Sequence, residues 1–209
     1  MIRLARNLWR RSDAAAGAEF ALVLPLLIIF LLGMIDVGRY MWSINQLEKA
    51  TQVGARWAVV TDMIPGGLAT ANYGLTLGQG APIPPSSFGA AQCNDPAGTV
   101  TCSCKTDPCP TLTPVNAADP VTGDKPFDKL AGRMRQIAPI IDNSNIIITY
   151  TNSGLGYAGD PNGPDVAPIV TVTAQSVSFT PLIFFGFKTT LPTESASMTL
   201  EDASGTTSN

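Results

Sequence analysis

Four cysteines, one acidic loop and one isolated glutamate are the residues whose type and spacing could do chemistry in this 209-residue chain. Cys93, Cys102, Cys104 and Cys109 are spaced C-x8-C-x-C-x4-C. Outside the cytoplasm two disulfides are the natural use of such a set, with three connectivities open. A zinc site of four thiolates is the rival. The spacing lacks paired C-x2-C knuckles, and an oxidising compartment disfavours thiolates, so disulfides are the expectation. In "GYAGDPNGPD", Asp160, Asn162 and Asp165 are hard oxygen donors of the kind calcium takes. They miss the EF-hand pattern: Asp165 holds the place of its glycine and Thr171 that of its final glutamate. They make a weak calcium candidate, and a turn-rich loop of Gly, Pro, Asn and Asp is the better account. Glu19 stands at the doorway of "FALVLPLLIIFLLGMI", a run with no charged side chain from Phe20 to Ile35. A carboxylate at membrane depth is costly and usually functional.

Other chemistries are excluded by what is missing. The chain has no histidine, which removes His-based acid–base catalysis, Ser-His triads and His-containing metal sites. Gly66 and Gly67 are followed by no phosphate-loop lysine, and serines such as Ser153 sit in no G-x-S-x-G elbow. No enzyme activity and no cofactor are expected. The formal charge of −3 decides little, but its distribution decides more. Arg3, Arg6, Arg10 and Arg11 precede the first acid, whereas acids outnumber bases beyond Arg39. Basic flanks stay in the cytoplasm, so the N-terminus is expected inside and residues 63–209 outside. An acidic outer part gives no electrostatic footprint for nucleic acid.

The elements that must position these residues begin with the apolar run. Its sixteen residues, Phe20 to Ile35, cover roughly 24 Å as helix, against a hydrocarbon core of about 30 Å. The helical pattern continues beyond it. Val37, Tyr40, Ile44, Leu47, Thr51, Gly54 and Ala58 recur at three- and four-residue steps, with polar residues on other faces. One helix is therefore predicted from residue 15 to residue 62, transmembrane at about 20–36 and amphipathic beyond, stopped by "DMIPGG". A secretory signal has neither this continuation nor this lack of an A-x-A-like site.

Residues 63–125 hold eight Gly and nine Pro and read as a loop region bearing all the cysteines. "GQGAPIPPSSFGAAQ" is expected to be neither helix nor central strand. Residues 126–209 read as a helix plus three strands. In "GDKPFDKLAGRMRQIAP", Asp124 can cap, Pro126 suits a first turn, and Phe127, Leu130, Met134 and Ile137 share a face. The strand candidates are 145–151, 167–179 and 195–202, the second with a phase change at Gln175–Ser176 that suggests a bulge. Between the last two lies the apolar "PLIFFGFK", which could dock on membrane, on a partner or on the chain's own helix. The whole is an α+β protein: a long N-terminal helix packed on a small antiparallel sheet, with one extra helix.

"GAEFALVLPLLIIFLLGMIDVGRYMW" resembles the N-terminal signature of TadE-like proteins, pseudopilins of the Tad (Flp) tight-adherence pilus system. The resemblance rests on the small residues before Glu19-Phe20, on Pro25 within the apolar helix, and on the exit Gly33…Asp36…Gly38-Arg39. It covers residues 14–60 and implies a pilin-like minor subunit or pseudopilin, inserted in the bacterial inner membrane. It implies a periplasmic C-terminal domain, incorporated in a surface pilus or supporting one. The implied partners are a prepilin peptidase, other pilin-like subunits and the assembly platform. The implied cut removes the basic leader 1–14 at Ala14–Ala15, where Ala14 stands in place of the family's glycine. Glu19 would then pair with the freed α-amino group of a neighbour, and Phe20 and Pro25 would serve assembly. Two plainer readings stay open: Glu19 snorkels at the inner headgroups, and Pro25 is a tolerated membrane-helix proline. The alternative from another class is an uncleaved signal anchor carrying an extracytoplasmic binding domain unrelated to filaments.

Overall fold

A computed structural model describes residues 12–115, 123–160, 164–183 and 187–201. It divides into two compact units, Met1–Trp42 with Phe179–Thr189, and Ser43–Ser178 with Thr190–Asn209. One continuous helix, α1 (Ser12–Val60, 49 residues), contributes to both and contains Pro25. It is about 70 Å long at ~1.5 Å per residue. From Phe20 to Ile35 its first half is apolar all round and mostly exposed, the pattern of a helix with no protein core around it. It is long and apolar enough to cross a membrane.

The second unit is built on a five-stranded antiparallel sheet, ordered β2-β1-β3-β4-β7. The strands are β1 (Ala90–Asn94), β2 (Thr101–Thr106), β3 (Ile146–Thr151), β4 (Ile169–Ala174) and β7 (Glu194–Thr199). Two short helices, α2 (Gly66–Ala69) and α3 (Gly74–Leu77), precede β1, and α4 (Pro126–Ile137) precedes β3. A two-stranded ribbon of β5 (Ser178–Phe179) and β6 (Thr189–Thr190) completes the set.

The register explains the layering. Cys93, Ile148, Val172 and Ala196 fall in one cross-strand row, and Ala91, Tyr150, Val170 and Met198 in the next but one. These rows lie on one face, and β1, β3 and β4 bury it. The intervening row, Gln92, Thr149, Thr171 and Ser197, is polar, and the Thr171 and Ser197 hydroxyls bond at 2.8 Å. Alternation of this kind is the mark of a sheet with one covered and one solvated face. The second half of α1 covers the apolar face with Leu47, Ala50, Ala55, Ala58 and Val59, joined by Phe127, Leu130, Ala131 and Met134 of α4. Gly54 marks a close approach: a Cβ there would stand 2.9 Å from Met134 Sδ and 3.2 Å from Val172 Cγ1. At the end of α1, the Ile64 N–H donates to the buried Tyr150 hydroxyl at 3.2 Å, and burial pushes that phenol well above the ordinary tyrosine range.

The α+β expectation holds, with a larger sheet than the three strands read from the sequence. The two extra strands come from the Gly/Pro-rich region 63–125, and β1, which begins inside "GQGAPIPPSSFGAAQ", sits between β2 and β3. Backbone geometry makes this possible. A Cβ on Gly89 would lie 2.2 Å from the Thr106 carbonyl oxygen, so only glycine lets the chain enter β1 beside β2. Gly89 also donates its N–H to Pro108 and accepts from the Asn152 N–H, closing both sides of the strand entry. At Gln175–Ser176 the strand ends rather than bulges: β4 stops at Ala174 and Ser176 has φ +56°. Lys125, not Asp124, occupies the N-cap of α4, with Pro126 in the first turn.

Candidate functional site

The N-terminal half of α1 carries the residues singled out for processing and assembly. Ala14 and Ala15 lie in its first turn, one turn before Glu19. The side chains of Glu19 and Phe20 are exposed on the helix, and Pro25 sits within it without ending it. Proline removes one i→i−4 bond, here the one to the Ala21 carbonyl, so the helix is locally weakened in mid-run. The arginine-bearing residues 1–11 lie outside the described residues.

At the far end of the apolar run lies a polar contact whose partners no side-chain pattern marks. Asp36 is 8% exposed and its carboxylate accepts the Leu182 N–H at 2.9 and 2.8 Å and the Ile183 N–H at 3.1 Å. Arg39, one turn on, adds an ion pair at 3.1 Å. The start of "PLIFFGFK" therefore packs on the chain's own helix, one of the three fates open to it, and Ile183 Cδ1 would lie 3.6 Å from a Cβ on Gly33. Phe179, at the base of this hairpin, stands edge-on to Tyr40 with ring centres 5.4 Å apart, and the Arg39 guanidinium lies 5.4 Å from its ring centre. Phe184, Phe185 and Gly186 lie outside the described residues.

The cysteines pair as Cys93–Cys102 and Cys104–Cys109, with Cα separations of 4.1 and 5.8 Å. Cys93 and Cys102 are directly opposite in the β1–β2 register, so the bridge pins two strands at one rung. Cys104–Cys109 closes a five-residue separation just after it. Loop-closure entropy for a nine-residue separation corresponds to about 2–3 kcal/mol. Replacing Cys93 and Cys102 together by alanine is expected to lower the denaturation free energy of the second unit by about that much. Alkylation of the wild type from its native compartment should be resisted until reduction, then reach all four cysteines. Full labelling without reductant, or stoichiometric zinc, would contradict the pairing.

Asp165 is a clamp. It is buried, and its Oδ1 accepts the N–H groups of Gly159 and Asp160 at 2.9 and 3.1 Å, while Oδ2 accepts that of Tyr73 at 2.5 Å. The carboxylate thus ties the 156–165 loop to the segment before α3, and its oxygens are committed to backbone donors. Asn162 lies outside the described residues. Among the described residues, no group of three or more His, Cys, Asp or Glu side chains could hold a metal ion. The signal for the clamp was a single Asp after a Gly-rich turn, which is too common to pick out a partner in advance.

These features define the class: an α+β protein whose sheet-bearing unit follows a helix suited to membrane anchoring. Residues 14–56 match the family model of TadE-like protein, in agreement with the resemblance carried by Glu19, Pro25 and the Gly33–Arg39 exit. No curated protein and no solved structure matches the chain.

Proposed function

We propose that this chain is a membrane-inserted minor pilin or pseudopilin, a structural component in assembly of a Tad/Flp type IV pilus used for adherence. The observation that carries the reading is the TadE-like match over 14–56, which takes in Glu19 immediately before an uncharged run of helix. In this reading the basic leader stays at the cytoplasmic face of the bacterial inner membrane, and the disulfide-bearing unit is periplasmic. A prepilin peptidase cuts Ala14–Ala15, and Glu19, Phe20 and Pro25 serve contacts with other pilin-like subunits and the assembly platform. The role is structural rather than enzymatic. Flp-type major subunits are typically very short, so a chain of 209 residues with a cross-linked head fits a minor component better than the bulk subunit.

Mapping the N-terminal peptide of the membrane-assembled protein tests this directly. The expected mature chain begins at Ala15. Intact Met1–Ala14 in the assembled form would favour the uncleaved signal anchor with an extracytoplasmic binding domain.

A further inference from the structure

We propose that β7 is a docking edge, which takes an extended segment of another protein as one more strand of the sheet. The segment carries apolar side chains at alternate positions and a carboxylate that meets Arg56 and Arg133. All the residues concerned lie in the sheet-bearing unit.

The two edges of the sheet are built differently. Among the described residues each edge strand pairs on one side only, β2 with β1 and β7 with β4. β2 is guarded: it carries Lys105, a register shift opposite Ala90–Ala91 and one cysteine of each disulfide. Lysines and bulges are how natural sheets keep an edge from pairing. β7 has neither. Its six residues pair with Ile169–Ala174 in unbroken register, and "ESASMT" contains no lysine and no proline.

The apolar face is also unfinished at this edge. Cys93, Ile148 and Val172 are buried, whereas Ala196, the last member of their row, is half-buried. The same holds for Ala91, Tyr150 and Val170 against Met198. A groove of about 650 Å³ opens there, with Val53 and Trp57 of α1 and Met198 among its walls. A strand hydrogen-bonded to β7 continues both rows, so every second side chain turns toward α1 and this groove. Only a peptide backbone can use the edge and the groove together.

Charge selects the segment. Arg56 and Arg133 both line the groove and are exposed, the Arg133 guanidinium 4.8 Å from the centre of the Trp57 ring. Among the described residues neither is paired with a carboxylate. Glu201, whose N–H donates to the Val59 carbonyl at 3.2 Å, also lines the groove and leaves it one positive charge in excess. An aspartate or glutamate of the incoming strand meets that excess. A second copy of this chain does not provide the strand. Its β2 offers Lys105 where an acid is needed. Its β7, paired antiparallel, would run the two copies of α1 in opposite directions, which the membrane anchoring proposed above forbids. Paired parallel, it would turn the two apolar faces apart.

Fluorescence anisotropy with the detergent-solubilised full chain tests the proposal. The probe is a labelled peptide of alternating valine and serine, with a glutamate at each end so that either strand direction can serve the arginines. Saturable binding is expected. Lysine in place of both glutamates, or Arg56→Glu combined with Arg133→Glu, should weaken it at least roughly tenfold. Both arginines are exposed, so the double variant should keep the wild-type circular dichroism spectrum. N-methylation of the peptide amides should abolish binding, because it removes the strand's hydrogen bonds. No binding at about 1 mM peptide, equal binding of the N-methylated form, or undiminished binding by the double variant would overturn the docking edge. So would binding that appears only after residues 202–209 are deleted, which would make the chain's own tail the occupant. A dimer of the full chain that the peptide dissociates would give the edge to a second copy, and would count against the shared membrane anchor as well.

Discussion

Glu19→Val is expected to insert into the membrane and to be cut at Ala14–Ala15, yet to leave piliation at the level of a full deletion. Insertion should survive because removing a carboxylate from the edge of the run only makes the segment more apolar. Cleavage should largely survive because the small residues, the basic leader and the apolar helix around the bond are unchanged. Assembly is different. In the proposed filament the new α-amino group of one subunit enters a packed helical bundle, where an unpaired ammonium costs several kcal/mol. Glu19 is exposed on α1, one turn beyond Ala15, where a neighbour's amine can reach it. Glu19→Gln should fail with Glu19→Val, since it keeps the shape and loses the charge. Counting surface pili in strains expressing each variant is the measurement, with immunoblots of membrane fractions for insertion and processing. Normal piliation by Glu19→Val would reduce this carboxylate to a side chain snorkelling at the headgroups.

The second large effect concerns packing. Gly54→Leu is expected to destabilise the sheet-bearing unit by about 3 kcal/mol, at the upper end of the usual overpacking range. A Cβ at this position already stands 2.9 Å from Met134 Sδ, and the branched remainder of leucine has nowhere to go but into Met134 and Val172. Both neighbours are fully buried, so relief requires α1 or α4 to move off the sheet. Gly54→Ala should differ sharply. Met134 is flexible enough to give by a few tenths of an ångström, and alanine gains about 0.5–1 kcal/mol of helix propensity over glycine. The two terms nearly cancel. Denaturant titration of the detergent-solubilised chain separates the cases, and equal stability for Gly54→Leu and wild type would show that α1 does not pack on β4 this closely.

How much of this was legible depended on whether the signal was local. The run 20–35 and the three- and four-residue steps from Val37 to Ala58 marked α1 because burial repeats with the helical period. Ile146–Thr151, Ile169–Ala174 and Glu194–Thr199 were visible from β-branched residues and alternation. β1 and β2 were not. "TCSCKT" is mostly exposed and has no apolar alternation, and what holds it is a cross-link and the missing side chain of Gly89. At Ser176 the change of phase was real, but a positive φ turned it into a strand end instead of a bulge. Asp36 could be recognised as the exit of the apolar run, whereas its partners are backbone N–H groups 146 and 147 residues away, which no side-chain pattern marks. Asp165 was legible as a loop carboxylate and not as a clamp, for the same reason.

The order of the disulfides has a consequence for how the protein matures. Each cysteine is joined to its nearest unpaired successor, first with second and third with fourth. An oxidase meeting the chain from its N-terminus would therefore close the correct pairs merely by taking thiols in order of arrival. With the unit exported as proposed, vectorial oxidation of this kind needs no shuffling enzyme, and both rings can close before the residues of β3, β4 and β7 have left the ribosome or the translocon. The cross-linked β1–β2 pair is then a ready-made template edge waiting for the rest of the sheet.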